Sequence, residues 1–135
     1  MLGELIGEDR GQVMSTRVLP TEPGQGPRLE VSFESNGTLL DVVTHEVATY
    51  SAVARADGTL YGEGQGMITS PQGEVATWRG SGVGRMNAAG GSDFRGAIYF
   101  ESAAPRWATL HGMAGVFEFG VDESGKTEAR IWEWK

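Results

Sequence analysis

Four polar side chains could together orient or polarise a carbonyl or carboxylate group: Tyr50, Glu63, Gln65 and Arg79. Glu63 and Gln65 alternate with Gly62, Gly64 and Gly66, and Arg79 precedes a second alternating run, Gly80, Gly82 and Gly84. A period of two is the strand period, so each glycine run occupies one face and the intervening side chains the other. Ser70-Pro71-Gln72-Gly73 lies between the runs and reads as a turn, with proline early and glycine at the left-handed position. With Ser70 facing Glu74, Gln65 faces Arg79, Glu63 lies one diagonal step away, and Gly62, Gly64 and Gly66 meet Gly82, Gly80 and Trp78. A two-residue turn at Asp57-Gly58 brings Tyr50 opposite Gln65.

Turned inward, that group is a buried charge pair with a phenol, in which Glu63 is the candidate catalytic acid or base and Arg79 and Tyr50 are electrostatic anchors. Turned outward, it is a solvated face with cross-strand pairs. The bare glycine face then lines the interior, covered by Trp78. A three-residue turn at Ala56 reverses the assignment between strands. The ligand-binding candidates are Tyr50, Glu63, Gln65, Trp78 and Arg79.

Other chemistry is poorly supplied. There is no cysteine, so neither a disulfide framework nor thiolate catalysis is available. His45 and His111 are the only histidines, too few for an ordinary metal cluster, and His45 and Glu46 point to opposite faces of a strand and cannot share a site. The expectation is no metal and no cofactor. The G-x-G-x-G runs lack dinucleotide-fingerprint spacing and no helix follows them, so sheet curvature explains them better. Asn36-Gly37-Thr38 matches a glycosylation sequon but reads as a turn.

The elements that must carry these residues read as strands. Residues 1–11 form an acidic N-terminal arm, and 12–135 one β-barrel domain. Gln12–Leu19 is a first strand and Pro20–Pro27 a loop. Arg28–Glu34 places Leu29, Val31 and Phe33 on one side, and Asn36-Gly37 is a hairpin signal pairing Ser35 with Thr38. Thr38–Ala56 is a long third strand with Leu40, Val42, Ala48 and Tyr50 in phase. After the glycine hairpin, Ser92–Ser102 is a strand, Ala103–Gly112 breaks the rhythm as a helical turn or lid, and Met113–Val121 with Lys126–Lys135 make a last hairpin. In that hairpin Glu118 faces Arg130 and Phe117 faces Ile131. The total is about eight antiparallel strands and no long helix, as in a sandwich or barrel. Six glycines on one face favour strong coiling and closure into a barrel.

The chain of 135 residues can bury a core as a single domain. Its net charge of −7 disfavours nucleic acid and anionic membrane surfaces as partners. The N-terminus has no basic region followed by an apolar run, and no apolar stretch has membrane-spanning length, so a cytoplasmic location is expected. Trp132 and Trp134 share a face of the last strand with Arg130, a composition suited to a homo-oligomer interface or to a barrel plug.

The GEGQG and GSGVG runs with the following RGAIYF strand resemble the small allene-oxide-cyclase-like barrels, a calycin-like superfamily that includes plant cyclases, dirigent-like proteins and bacterial proteins of about this size. The resemblance covers roughly Gly58 to Phe119. It implies an eight-stranded antiparallel barrel with a central cavity, and in some members an isomerase or cyclase activity on a hydrophobic substrate. No catalytic residue transfers by motif. The expected function is binding of a small hydrophobic molecule in the barrel, with an isomerase or cyclase, or a solidly packed structural barrel, as alternatives.

Overall fold

The structure, a computed structural model, describes residues 1–135. Eight antiparallel strands follow one another around a closed barrel: β1 (Leu2–Leu19), β2 (Arg28–Leu39), β3 (Val42–Ala54), β4 (Thr59–Thr69), β5 (Val75–Met86), β6 (Ser92–Ser102), β7 (Ala114–Val121) and β8 (Lys126–Trp134). Closure comes from β1, which pairs with β2 along one edge and with β8 along the other. The expected arm is therefore the first half of an 18-residue strand. Its polar, acidic composition hid a period-two pattern in which Gly7 is buried and Asp9, Gly11 and Val13 are half-buried, with Ile6 also buried where the register shifts between Leu5 and Gly7. No helix is long and apolar enough to cross a membrane.

The glycine hairpin has the expected register. Gly62 pairs with Gly82, Gly64 with Gly80 and Gly66 with Trp78. The bare face points inward, and Trp78 lies across it: a Cβ on Gly66 would stand 2.2 Å from the indole Nε1. The last hairpin also matches expectation, with Glu118 opposite Arg130 and Phe117 opposite Ile131.

Two turns differ. The β2–β3 turn is Leu40-Asp41, both in the left-handed region at φ 49° and 65°, as the two central residues of a hairpin turn with mirror-image geometry require. Asn36-Gly37 instead lies inside β2, paired with His45 and Thr44. Gly37 serves close approach rather than turning, because a Cβ there would stand 1.9 Å from the Glu8 carbonyl oxygen. This shift sets Ser35 opposite Glu46. The β3–β4 connection is the three-residue form, closed by Arg55 N–H donating to the Thr59 carbonyl at 2.8 Å, with Gly58 at φ 86°. Tyr50 therefore meets Gly64, and Gln65 meets Thr49.

One end of the barrel is stoppered. Residues Pro105–Gly112 form a short 3-10 helix that drives Trp107 and Leu110, both fully buried, against Leu39, Val42, Ile68 and Phe100. The Trp107 indole N–H donates to the Leu39 carbonyl at 3.2 Å, satisfying the one polar atom of the plug. At the surface Arg106 bonds Glu74 and Gln72, and His111 Nε2 accepts the Ser102 backbone N–H at 2.9 Å. The rhythm-breaking segment is thus the stopper, a role that Trp132 and Trp134 do not fill. Trp132 pairs with Leu5 and Val116 on the outer face, and Trp134 is exposed.

Candidate functional site

Inward-pointing residues from β1 to β6 and from β7 and β8 enclose a cavity of about 80 Å³. Its wall is mostly apolar: Phe33, Phe94, Phe117, Phe119, Ile98 and Ile131, with Trp78 and the ring of Tyr50. Phe33, Tyr50, Phe94 and Phe119 pack as one aromatic group, with centroids 5.1–6.5 Å apart and mostly edge-on or tilted geometry. Such edge contacts are favoured by the ring quadrupoles. Burial alone pushes the Tyr50 phenol up to about 12, so it stays a neutral hydroxyl.

Two acidic side chains share this apolar wall. Glu46 from β3 is 7% exposed. Its Oε1 accepts a hydrogen bond from Ser35 Oγ at 3.0 Å, and its Oε2 accepts one from the Trp78 indole. Asp9 from β1 lies against the same two groups, Ser35 and Glu46. Two carboxyl groups in contact, away from water, cannot both ionise cheaply. Burial, and then the Glu46 charge, push Asp9 up to about 8. Burial also raises Glu46, but the hydrogen bonds from Trp78, Ser35 and Asp9 pull it back. The pair therefore keeps a proton at neutral pH. The Oδ1 atom of Asp9 is buried without a partner.

The residues expected from sequence are divided between the two faces. Tyr50 and Trp78 line the cavity. Glu63 borders the cavity between Gly62 and Gly64, but its side chain, like those of Gln65 and Arg79, is exposed on the outer face. Gln65 does stand opposite Arg79, and its amide donates to the Thr49 carbonyl at 3.1 Å. The polar group with Tyr50 is not assembled, because the three-residue β3–β4 turn puts the even positions of β3 with the glycine face. His45 is exposed and bonded to Asn36, with Glu34 at 3.8 Å, and His111 belongs to the stopper. No group of three or more His, Cys, Asp or Glu side chains converges on a possible metal position.

Asp9 and Glu46 were missed by sequence reasoning, yet one signal was present. Glu46 falls in phase with Val42, Thr44 and Ala48, all buried, and a carboxylate on the apolar face of a strand is a conspicuous exception. Asp9 lay in the segment read as an arm, where no phase was assigned.

No protein-family model matches the chain, and no curated protein matches it by sequence. Solved structures do. A protein of unknown function from Clostridium acetobutylicum superposes with a TM-score of 0.84 at 12% identity, covering 98% of each chain. A β-barrel-like protein from Acinetobacter baumannii gives 0.83 at 10% identity, covering 100% of this chain and 96% of that one. A conserved protein of unknown function from Rhodopseudomonas palustris gives 0.80 at 11% identity, covering 98% and 97%. The likeness shows the fold. At these identities it carries no residue roles.

Proposed function

We propose that the barrel binds a small, largely apolar molecule in its interior, with one polar group of that molecule directed at the Asp9–Glu46 pair. The observation that carries this reading is a carboxyl pair set into an otherwise aromatic and aliphatic cavity wall. A barrel needing only a packed core gains nothing from two desolvated acids. Binding sites are mostly apolar with a few convergent polar groups, which describes this interior. The volume of about 80 Å³ is well below the roughly 300 Å³ of a drug-sized pocket. The buried part of the ligand is therefore a small ring or short chain.

The isomerase or cyclase alternative rests on one specific observation, two acidic side chains set together in the cavity wall, where burial raises both and favours a retained proton near neutral pH. General acid–base catalysis works best with such a group. In that reading the acid–base role falls to this pair, because Glu63 has an exposed side chain on the outer face. Kinship with the allene-oxide-cyclase-like barrels belongs to the same proposal, supported by the glycine spacing and the closed eight-stranded fold. A cytoplasmic location is supported by the acidic balance, and self-association by the exposed Leu2, Leu5 and Trp134 beside Trp132.

Native mass spectrometry of protein purified from its source tests the binding reading. A small non-covalent adduct is expected, weakened in an Ala129→Leu variant that fills the cavity. A bare mass, together with unchanged melting in the presence of small apolar probes, contradicts it.

A further inference from the structure

We propose a second binding site on the outside of the barrel, for a small zwitterion whose carboxylate and ammonium groups lie a short chain apart. The site is a cleft of about 210 Å³ where the β1–β2 loop meets the outer faces of β3 and β4. Its wall consists of Gln25, Arg28, Ser51, Val53, Tyr61 and Glu63. The loop is fastened at its end, since Gly26 N–H donates to the Ala54 carbonyl at 3.1 Å and Ala54 N–H to the Pro27 carbonyl at 2.9 Å. Strand register aligns the remainder: Arg28 faces Val53, which faces Tyr61, and Ser51 faces Glu63. Arg55 lies over the Tyr61 ring, 5.9 Å from its centroid.

Arg28 is what sets this cleft apart. Of the 11 lysines and arginines, it alone is not exposed. Arg10, Arg17, Arg95 and Arg106 are exposed and each meets a glutamate, whereas Arg28 meets none. Glu30, two residues along the same strand, is taken by Arg17. Arg17, Arg55 and Arg106 donate side-chain hydrogen bonds within the chain; Arg28 donates none, and neither do the half-buried hydroxyls of Ser51 and Tyr61. These donors are within reach of solvent, because the only polar side-chain atoms both buried and unpartnered are Asp9 Oδ1 and Thr127 Oγ1. Shielding a guanidinium without a counter-charge is unfavourable, and a carboxylate offsets that cost by accepting two of its N–H groups at once.

Glu63 narrows the class. Its exposed carboxylate borders the same cleft and has no cationic partner. It repels a phosphate or a dicarboxylate, as does the net charge of −7, and it attracts an ammonium group. Arg28 and Glu63 stand two strands apart, about 10 Å between backbones, and no ion pair closes the gap. A short amino acid carries both charges and the intervening chain.

The compounds 4-aminobutyrate, butyrate and butylammonium test this, since they share a four-carbon chain and differ in their charged ends. Titrations are followed by protein NMR, with the Ser51 and Tyr61 amides reporting on the cleft and Phe33 and Phe119 on the interior. Shifts at the cleft alone are expected. The amino acid should bind about tenfold or more tighter than butylammonium, which offers Arg28 nothing. Its advantage over butyrate should be about threefold, because Glu63 is exposed. Arg28→Gln should remove the first advantage and Glu63→Gln the second. Butyrate or inorganic phosphate binding as tightly as 4-aminobutyrate overturns the zwitterion, and so does an absence of shifts at the cleft with all of them. The ratios in the unaltered protein decide the matter even if a variant does not fold.

Discussion

Trp78 and Glu46 meet across the barrel interior from strands β5 and β3, the indole N–H donating to a carboxylate oxygen. The contact exists because Gly66, opposite Trp78 on β4, has no side chain to hold the ring away. It ties the most distinctive feature of the sequence, the glycine hairpin, to a carboxylate that the hairpin does not contain. Trp78→Phe should keep the ring and lose the donor. The expected cost is about 2 kcal/mol of unfolding free energy near neutral pH, the scale of a hydrogen bond to a charged group. The loss should shrink as pH falls and Glu46 protonates. Urea unfolding at several pH values measures both.

Asp9 predicts how stability varies with pH. Its pKa is raised to about 8 in the folded barrel from an ordinary 3.8, so the folded state holds a proton that the unfolded chain releases. Stability from this group is fully present below pH ~4 and is lost as pH rises toward 8. One proton gives a slope of at most about 1.4 kcal/mol per pH unit in that window. Asp9→Asn should flatten the slope and make the protein more stable than the parent at pH 8. Thermal or urea midpoints across the window check it.

Close packing over the glycine face predicts a graded response to added methyl groups. A Cβ on Gly66 would stand 2.2 Å from Trp78 Nε1, whereas one on Gly62 would lie at 3.4 Å from the nearest atoms. Gly66→Ala should displace the indole and cost about 1–3 kcal/mol, the usual price of overpacking. Gly62→Ala should cost clearly less. Intrinsic tryptophan fluorescence alongside the unfolding midpoint separates a moved Trp78 from a general loosening.

The stopper predicts a different kind of loss. Trp107 is fully buried and its indole N–H caps the Leu39 carbonyl. Trp107→Ala should cost about 3–5 kcal/mol through the cavity left behind. By contrast, Glu63→Gln should leave stability and the affinity for a ligand inside the barrel unchanged, since its side chain is in solvent. Calorimetry with and without small apolar probes distinguishes the two cases.

Much of the fold was legible because its strongest signals are local. The glycine alternation, the turn at Ser70–Gly73 and the cross-strand partners of β7 and β8 all follow from spacing and turn chemistry. The site was less legible, since it depends on which turn residues win. Leu40-Asp41 turns the chain where Asn36-Gly37 seemed the better candidate, because Gly37 is needed beneath the passing β1 strand. That choice decides what faces Ser35. One extra residue in the β3–β4 turn likewise moved Tyr50 to the glycine side and sent Glu63 outward. Asp9 could not be placed without knowing that β1 closes the barrel, a contact between opposite ends of the chain.

The central claim is that Asp9 and Glu46 form an interior pair holding one proton at neutral pH. Carbon-13 NMR of the side-chain carboxyl groups, followed against pH and assigned with Asp9→Asn and Glu46→Gln, tests it most directly. The account predicts that the pair gives up its last proton near pH 8, well above the ordinary carboxylate range. Both groups titrating near pH 4 would contradict it.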